Sequence, residues 1–132
     1  MGATGYRVNF KGNSVCYVTD TEHKKDGLDD NILRLARDSD LLIYDSTYTE
    51  NEYPNFVGWG HSTWQEGVRL SQEAGVKYYA IFHHDPAHDD AFMDNVEYEA
   101  KKEFAQAFVA KEGEEIMVTE IGTEFRTFDD KL

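Results

Sequence analysis

The residues best suited to chemistry in this sequence are carboxylates and imidazoles placed at the ends of apolar runs. Val15-Cys16-Tyr17-Val18 gives way to Thr19-Asp20, and Leu41 to Tyr44 stops at Asp45-Ser46-Thr47. Val76 to Phe82 delivers His83 and His84, with Asp85-Pro86 behind them, and His61 stands at the mouth of a helix after a glycine-containing loop. If the runs are strands of an α/β sheet, their ends gather ligands, because loops there bring residues from separate strands together. Carboxylates and imidazoles converging on one edge suit Zn, Mn or Fe(II). Each residue also has a plainer use. An Asp after a strand is commonly a turn former or helix cap, and His61 could help to cap its helix. His23 and His88 fall in polar loops and read as solvated, as do Glu22 and Asp26, although His88-Asp89-Asp90 could border a site. Tyr48, Tyr53, Phe56 and Trp59 either wall a pocket or pack their loop onto the body.

Positioning these residues is the task of alternating strands and helices. Tyr6 to Phe10 and Ser14 to Thr19, separated by Lys11-Gly12-Asn13, predict a β-hairpin. A helix is expected from Leu28 to Arg37, with Leu28, Ile32, Leu35 and Ala36 at helical spacing and acidic residues in its first turn. Leu41 to Tyr44 predicts a short strand, and Tyr48 to Gly60 an ordered aromatic loop. A second helix starts near Ser62, with Ser62 and Gln65 spaced as a capping box, and ends at Gly75. Val76 to Phe82 predicts a strand. Phe92, Val96, Ala100 and Phe104, four apart, predict a long helix from Asp90 to Ala110. Glu115 to Phe128 alternates loosely and suits one or two strands. The order predicts an α/β fold in which helices pack on a mixed sheet; what covers the sheet's other face is open.

With 132 residues, 40% of them apolar and eight each of Phe and Tyr, the chain can build a packed core, so one globular unit over 1–132 is expected. Acidic residues number 26 against 13 Lys and Arg, a net charge of -13. That field repels polyphosphates, so nucleic acid is disfavoured as a partner and a small-molecule ester or phosphodiester is the expected substrate. The single cysteine, Cys16, excludes an internal disulfide and suits a reducing, cytoplasmic setting; within its apolar run it reads as a buried thiol. No window approaches a membrane span, and no membrane partner is expected.

Four strings carry a family resemblance. Tyr17-Val18-Thr19-Asp20-Thr21-Glu22 resembles the metallo-β-lactamase-fold segment in which a strand ends on an Asp bridging two metals. Leu42-Ile43-Tyr44-Asp45-Ser46-Thr47 looks like the later strand presenting an acidic residue, a small residue and Thr. Gly60-His61-Ser62-Thr63 is similar to the His-Ser-Thr element of the RNase Z-like and phosphodiesterase-like branch, and Ile81-Phe82-His83-His84-Asp85-Pro86 to the strand bearing the last metal histidine. The resemblance implies one αβ half of the four-layer αβ/βα sandwich of a metal-dependent hydrolase. It implies that Asp20 bridges two metals, that His83 or its neighbour His84 binds the second, and that His61 donates a proton with Asp45 orienting it. Zinc, Mn or Fe would be the metal of the complete enzyme. The family's His-x-His-x-Asp-His motif is absent from this sequence, so too few ligands are expected here for a metal pair, and the chain alone could hold none. An αβ half would also leave an apolar sheet face open, which predicts pairing with itself or with an N-terminal half. Two other readings remain. One is a non-catalytic αβ module that self-associates, and the other is a response-regulator-like doubly wound domain.

Overall fold

Alternating side chains along Tyr6–Phe10 (β1) and Asn13–Val18 (β2) fold into an antiparallel hairpin around Lys11 and Gly12. From there a computed structural model, which describes residues 2–119 and 122–127, alternates helix and strand. α1 (Asp30–Ala36) leads to β3 (Leu41–Asp45), α2 (Trp64–Ala74) to β4 (Tyr78–Phe82), and α3 (Asp90–Glu103) to β5 (Ala107–Val109). The strands lie side by side in chain order, and β2 to β5 are parallel. Right-handed crossovers that advance always in one direction deposit their helices on one face. All three helices accordingly pack on the same side. Cys16, Val18, Leu42, Tyr44, Tyr79 and Ile81 of the sheet form one buried cluster with Ala36, Val68, Leu70, Val96 and Ala100 of the helices.

The opposite face divides into a covered and an open part. A second hairpin, β6 (Glu114–Thr119) with β7 (Gly122–Thr127), sets Ile116 and Val118 over Leu41, Ala80 and Phe108. Phe125 adds an edge-on contact to Phe108, with ring centroids 4.7 Å apart. Nearer β1, Tyr6, Val8 and Phe10 are 60%, 63% and 68% exposed, and Tyr17 beside them is 41% exposed. The registers Tyr6–Tyr17 and Val8–Val15 place them on the face away from the helices.

Helix boundaries follow local chemistry more closely than the sequence pattern did. α1 begins later than Leu28 because the Asp29 carboxylate accepts the Asn31 amide at 2.8 Å. The capping residue of α2 is Thr63, whose hydroxyl accepts the Glu66 amide at 3.2 Å. The expected Ser62–Gln65 box is therefore replaced, and Ser62 turns inward to receive the Tyr44 hydroxyl at 2.9 Å. Gly75 ends the helix as expected, its N–H bonded to the carbonyls of Gln72 and Ser71. The long helix stops at Glu103 rather than Ala110. Residues 107–109 are buried on both faces as the fifth strand, and the Glu97 carboxylate accepts the outward N–H of Val109 at 2.7 Å. The C-terminal pattern forms two strands; Glu120, Ile121 and Phe128 lie outside the described residues. Among the described residues no helix is long and apolar enough to cross a membrane.

At the N-terminal ends of the parallel strands, buried Asp40 acts as a clamp. Its carboxylate accepts the Ser14 amide at 2.8 Å and the Lys77 ammonium at 2.6 Å, tying together the segments that open β2, β3 and β4. Burial alone would raise the Asp40 pKa, but Lys77 and Ser14 outweigh it and hold it below the usual value of 3.8. A depressed folded-state pKa contributes stability at pH values above the unfolded pKa, and that contribution is lost as pH falls through the folded value. Thermal midpoints of the wild type should therefore fall below about pH 4, and Asp40→Asn should flatten that slope. An unchanged slope would exclude Asp40 as an acid-sensitive contact.

Candidate metal centre

Three residues of the candidate centre lie where parallel strands end. Asp20 follows β2, Asp45 closes β3 and His83 follows β4. His61 is brought in by the segment 48–63, whose two ends meet. The Tyr48 amide donates to the Ser62 carbonyl at 3.0 Å, and the Trp64 amide donates to the Tyr48 carbonyl at 3.2 Å. This is a compact loop packed by its own side chains. The Tyr48 and Phe56 rings stack at 4.4 Å, and the Glu22 carboxylate accepts both the Tyr53 hydroxyl and the Gly58 amide at 2.7 Å.

Asp45 is fully buried and satisfied from several sides. Its Oδ2 accepts from His61 Nδ1 at 2.9 Å, and its Oδ1 accepts the Thr47 hydroxyl at 2.9 Å and the Ser62 amide at 3.2 Å. Thr47 Oγ1 also lies 2.8 Å from the His83 carbonyl and 3.0 Å from His83 Nδ1. A hydroxyl has one proton, and two of these neighbours can only accept. Its lone pair is thus what it offers His83, which assigns the His83 ring proton to Nδ1. The bond to Asp45 assigns the His61 proton to Nδ1 in the same way. Both rings are therefore held at Nδ1 and turn Nε2 outward.

One nitrogen of each ring and the Asp20 carboxylate converge. Ligand atoms of Asp20, His61 and His83 all lie within 4.8 Å of one another, the one such group of His, Cys, Asp or Glu among the described residues. The two imidazoles stack at 4.7 Å, and His83 Nε2 stands 3.4 Å from Asp20 Oδ1. A proton or a metal ion can bridge such a pair. Two nitrogens and one carboxylate form a set that suits a divalent metal and leaves coordination positions open. Asp20 and His83 have left-handed φ values of 53° and 67°, as do Lys11 and Asp38 in turns away from this rim. An open cleft of about 610 Å³, lined in part by Asp20, Thr21, Glu22 and Gly60, borders the group.

The structure sorts the expected residues unevenly. Asp20, His83, His61 and Asp45 come together. His84 does not: past the end of β4 its Nε2 lies 3.1 Å from the Ala110 carbonyl. Three side chains expected in solvent are engaged. Glu22 pins the aromatic loop; burial alone would raise its pKa, but the bonds from Gly58 and Tyr53 outweigh it and lower it. Burial and the Glu22 carboxylate push the Tyr53 hydroxyl up to about 12, so it remains a donor. His23 Nδ1 lies 2.9 Å from the Ser62 hydroxyl. His88, its side chain 8% exposed, lies 2.6 Å from Glu52 and stacks on Phe92. Thr47 escaped the sequence reading although its string was noted; its position two residues past a strand-ending Asp was the available signal.

Residues 2–84 match the family model described as a beta-lactamase superfamily domain. Ribonuclease Z of Sulfurisphaera tokodaii is 31% identical over 106 residues, which cover 80% of this chain and 33% of that protein. Ribonuclease Z of Gemmatimonas aurantiaca is 33% identical over 87 residues, covering 66% of this chain and 27% of that protein. The chain thus spans about a third or less of the length of the curated relatives it matches. Among solved structures, the metallo-beta-lactamase fold protein YhfI from Bacillus subtilis superposes with TM-score 0.65 at 24% identity, over 80% of this chain and 39% of that one. Human tRNase Z, short form, superposes with TM-score 0.58 at 19% identity, over 81% and 35%. The fold is that of the metallo-β-lactamases. The relatives also correct one expectation: they are named as ribonucleases, which overturns both the disfavouring of nucleic acid and the small-molecule substrate. Net charge is a sum over a surface, whereas substrate choice is local, and this chain matches only a fraction of its relatives' length.

Proposed function

Because this chain belongs to the beta-lactamase superfamily domain family, we propose that it carries part of the active site of a metal-dependent hydrolase that cleaves phosphodiester bonds in RNA. The observation that carries this reading is the convergence of Asp20, His61 and His83, with both ring Nδ1 atoms already committed to Asp45 and Thr47. Asp20 and His83 would hold the metal, with zinc, Mn or Fe(II) suited to the donor set. A divalent ion held there supplies Lewis-acid polarisation of a phosphoryl oxygen. His61 handles the proton: Asp45 fixes its ring by Nδ1, so Nε2 is the atom that delivers a proton to the leaving oxygen. The Asp45 carboxylate, buried and bonded to Nδ1, would offset the positive charge of the ring before that transfer. Thr47 holds the His83 ring through Nδ1, its hydroxyl proton being given to Asp45. A metal pair needs ligands beyond these. The exposed apolar face carrying Tyr6, Val8 and Phe10 supports a second αβ layer that packs there and supplies them.

Metal analysis and RNA cleavage by the full protein test the reading together. Asp20→Ala should lower bound metal and reduce cleavage by more than about 100-fold, since even losses one shell further out cost 10–100-fold. His61→Ala should abolish cleavage yet keep the metal. Loss of metal in His61→Ala would instead make His61 a ligand, and wild-type levels of metal and cleavage in Asp20→Ala would remove the assignment.

A further inference from the structure

Trp59 is the aromatic residue of the 48–63 loop that the loop's own packing leaves over. Tyr48 is buried and Phe56 stacks on it, whereas Trp59 is 67% exposed. It is nevertheless fixed. Its ring meets the Phe56 edge at 5.5 Å and 90°, and it stands between Gly58 and Gly60, with φ of 89° and 87°. The Gly58 amide is anchored on Glu22. A large apolar ring that meets Phe56 yet stays mostly in water stands two residues before His61. The loop is acidic, with Glu22 on the Gly58 amide and with Asp85, Asp45, Glu22 and Glu52 all acting on Tyr48, so the described residues offer little phosphate neutralisation there. Stacking is the mode of nucleic-acid contact that tolerates such a field, because every base has an apolar face.

We propose that Trp59 is a stacking platform for one unpaired base of the RNA strand, beside the phosphodiester presented to His61. This rests on the RNA-hydrolase reading above. Two residues span at most about 7 Å of chain, which puts the platform within a nucleotide or so of the cluster.

The test titrates the full protein, with its metal, with a single-stranded oligoribonucleotide. A parallel series of strands carries one abasic position at successive sites around the cut. Wild type minus Trp59→Phe isolates Trp59 emission, since Trp64 is buried; that difference signal should be quenched by intact RNA. Trp59→Ala should raise KM by about 5- to 150-fold with kcat little changed, and Trp59→Phe should recover most of the loss. One abasic position should cost the wild type that same factor and cost Trp59→Ala nothing further. Unchanged KM in Trp59→Ala, or equal abasic penalties in both proteins, would overturn the platform while leaving the hydrolase reading standing. A wild type that neither binds nor cleaves RNA would overturn both.

Discussion

Asp45→Asn is expected to reduce RNA cleavage by about 10²- to 10⁴-fold in kcat, the range that a positioned proton donor contributes, while bound metal stays at the wild-type level. The reason lies in how the amide must sit. The Thr47 hydroxyl and the Ser62 amide both donate to Oδ1, so the new side chain must keep its carbonyl there. Its NH₂ then faces His61 Nδ1, where the wild-type carboxylate accepts a proton at 2.9 Å. The ring is driven into the other tautomer and loses the negative charge that offsets its cationic form. A kcat within about threefold of wild type would show that the Asp45–His61 pair is structural only. Circular dichroism of the variant separates either result from misfolding.

Gly67→Ala should destabilise the protein, the reverse of what helix propensity dictates. At an exposed helix position the change from Gly to Ala gains about 1 kcal/mol. Here a Cβ on Gly67 would lie 2.1 Å from the Tyr79 hydroxyl oxygen and 2.2 Å from Cζ. Tyr79 cannot retreat: it is fully buried in β4, and its hydroxyl is bonded to Ser46 and to the Trp64 carbonyl. Overpacking of this kind costs about 1–3 kcal/mol or more, so the urea midpoint should fall. A raised midpoint would mean that α2 can slide on β4. Because Ser46 adjoins Asp45, some loss of cleavage should accompany the loss of stability.

How much of this was legible beforehand depended on how local each signal was. The hairpin and the strands ending at Asp45 and His83 follow from apolar runs bounded by turn and polar residues, which a sequence displays directly. Asp20, His61 and His83 were identifiable because each terminates such a run or precedes a helix. The choice between His83 and His84 was not, since only the loop geometry after β4 decides which ring turns inward. β5 was hidden by ambiguity: Ala107-Phe108-Val109 continues a helix-compatible pattern, and its pairing with β4 is tertiary. Thr63 rather than Ser62 caps α2 because Tyr44, 18 residues earlier, claims the Ser62 hydroxyl. The partners of His88 and Glu22 are equally remote, 36 residues away in the case of Glu52 and of Gly58. Overall charge misled for the opposite reason: it averages over a surface on which the decisive contacts are few.

The Asp40 clamp and the acceptor cluster occupy opposite ends of the same strands. One end secures the scaffold, and the other can exchange loops without disturbing what holds it up. Such a division of labour makes the architecture evolvable: new specificities can be drafted on one rim by insertion and substitution while the foundation is inherited unaltered.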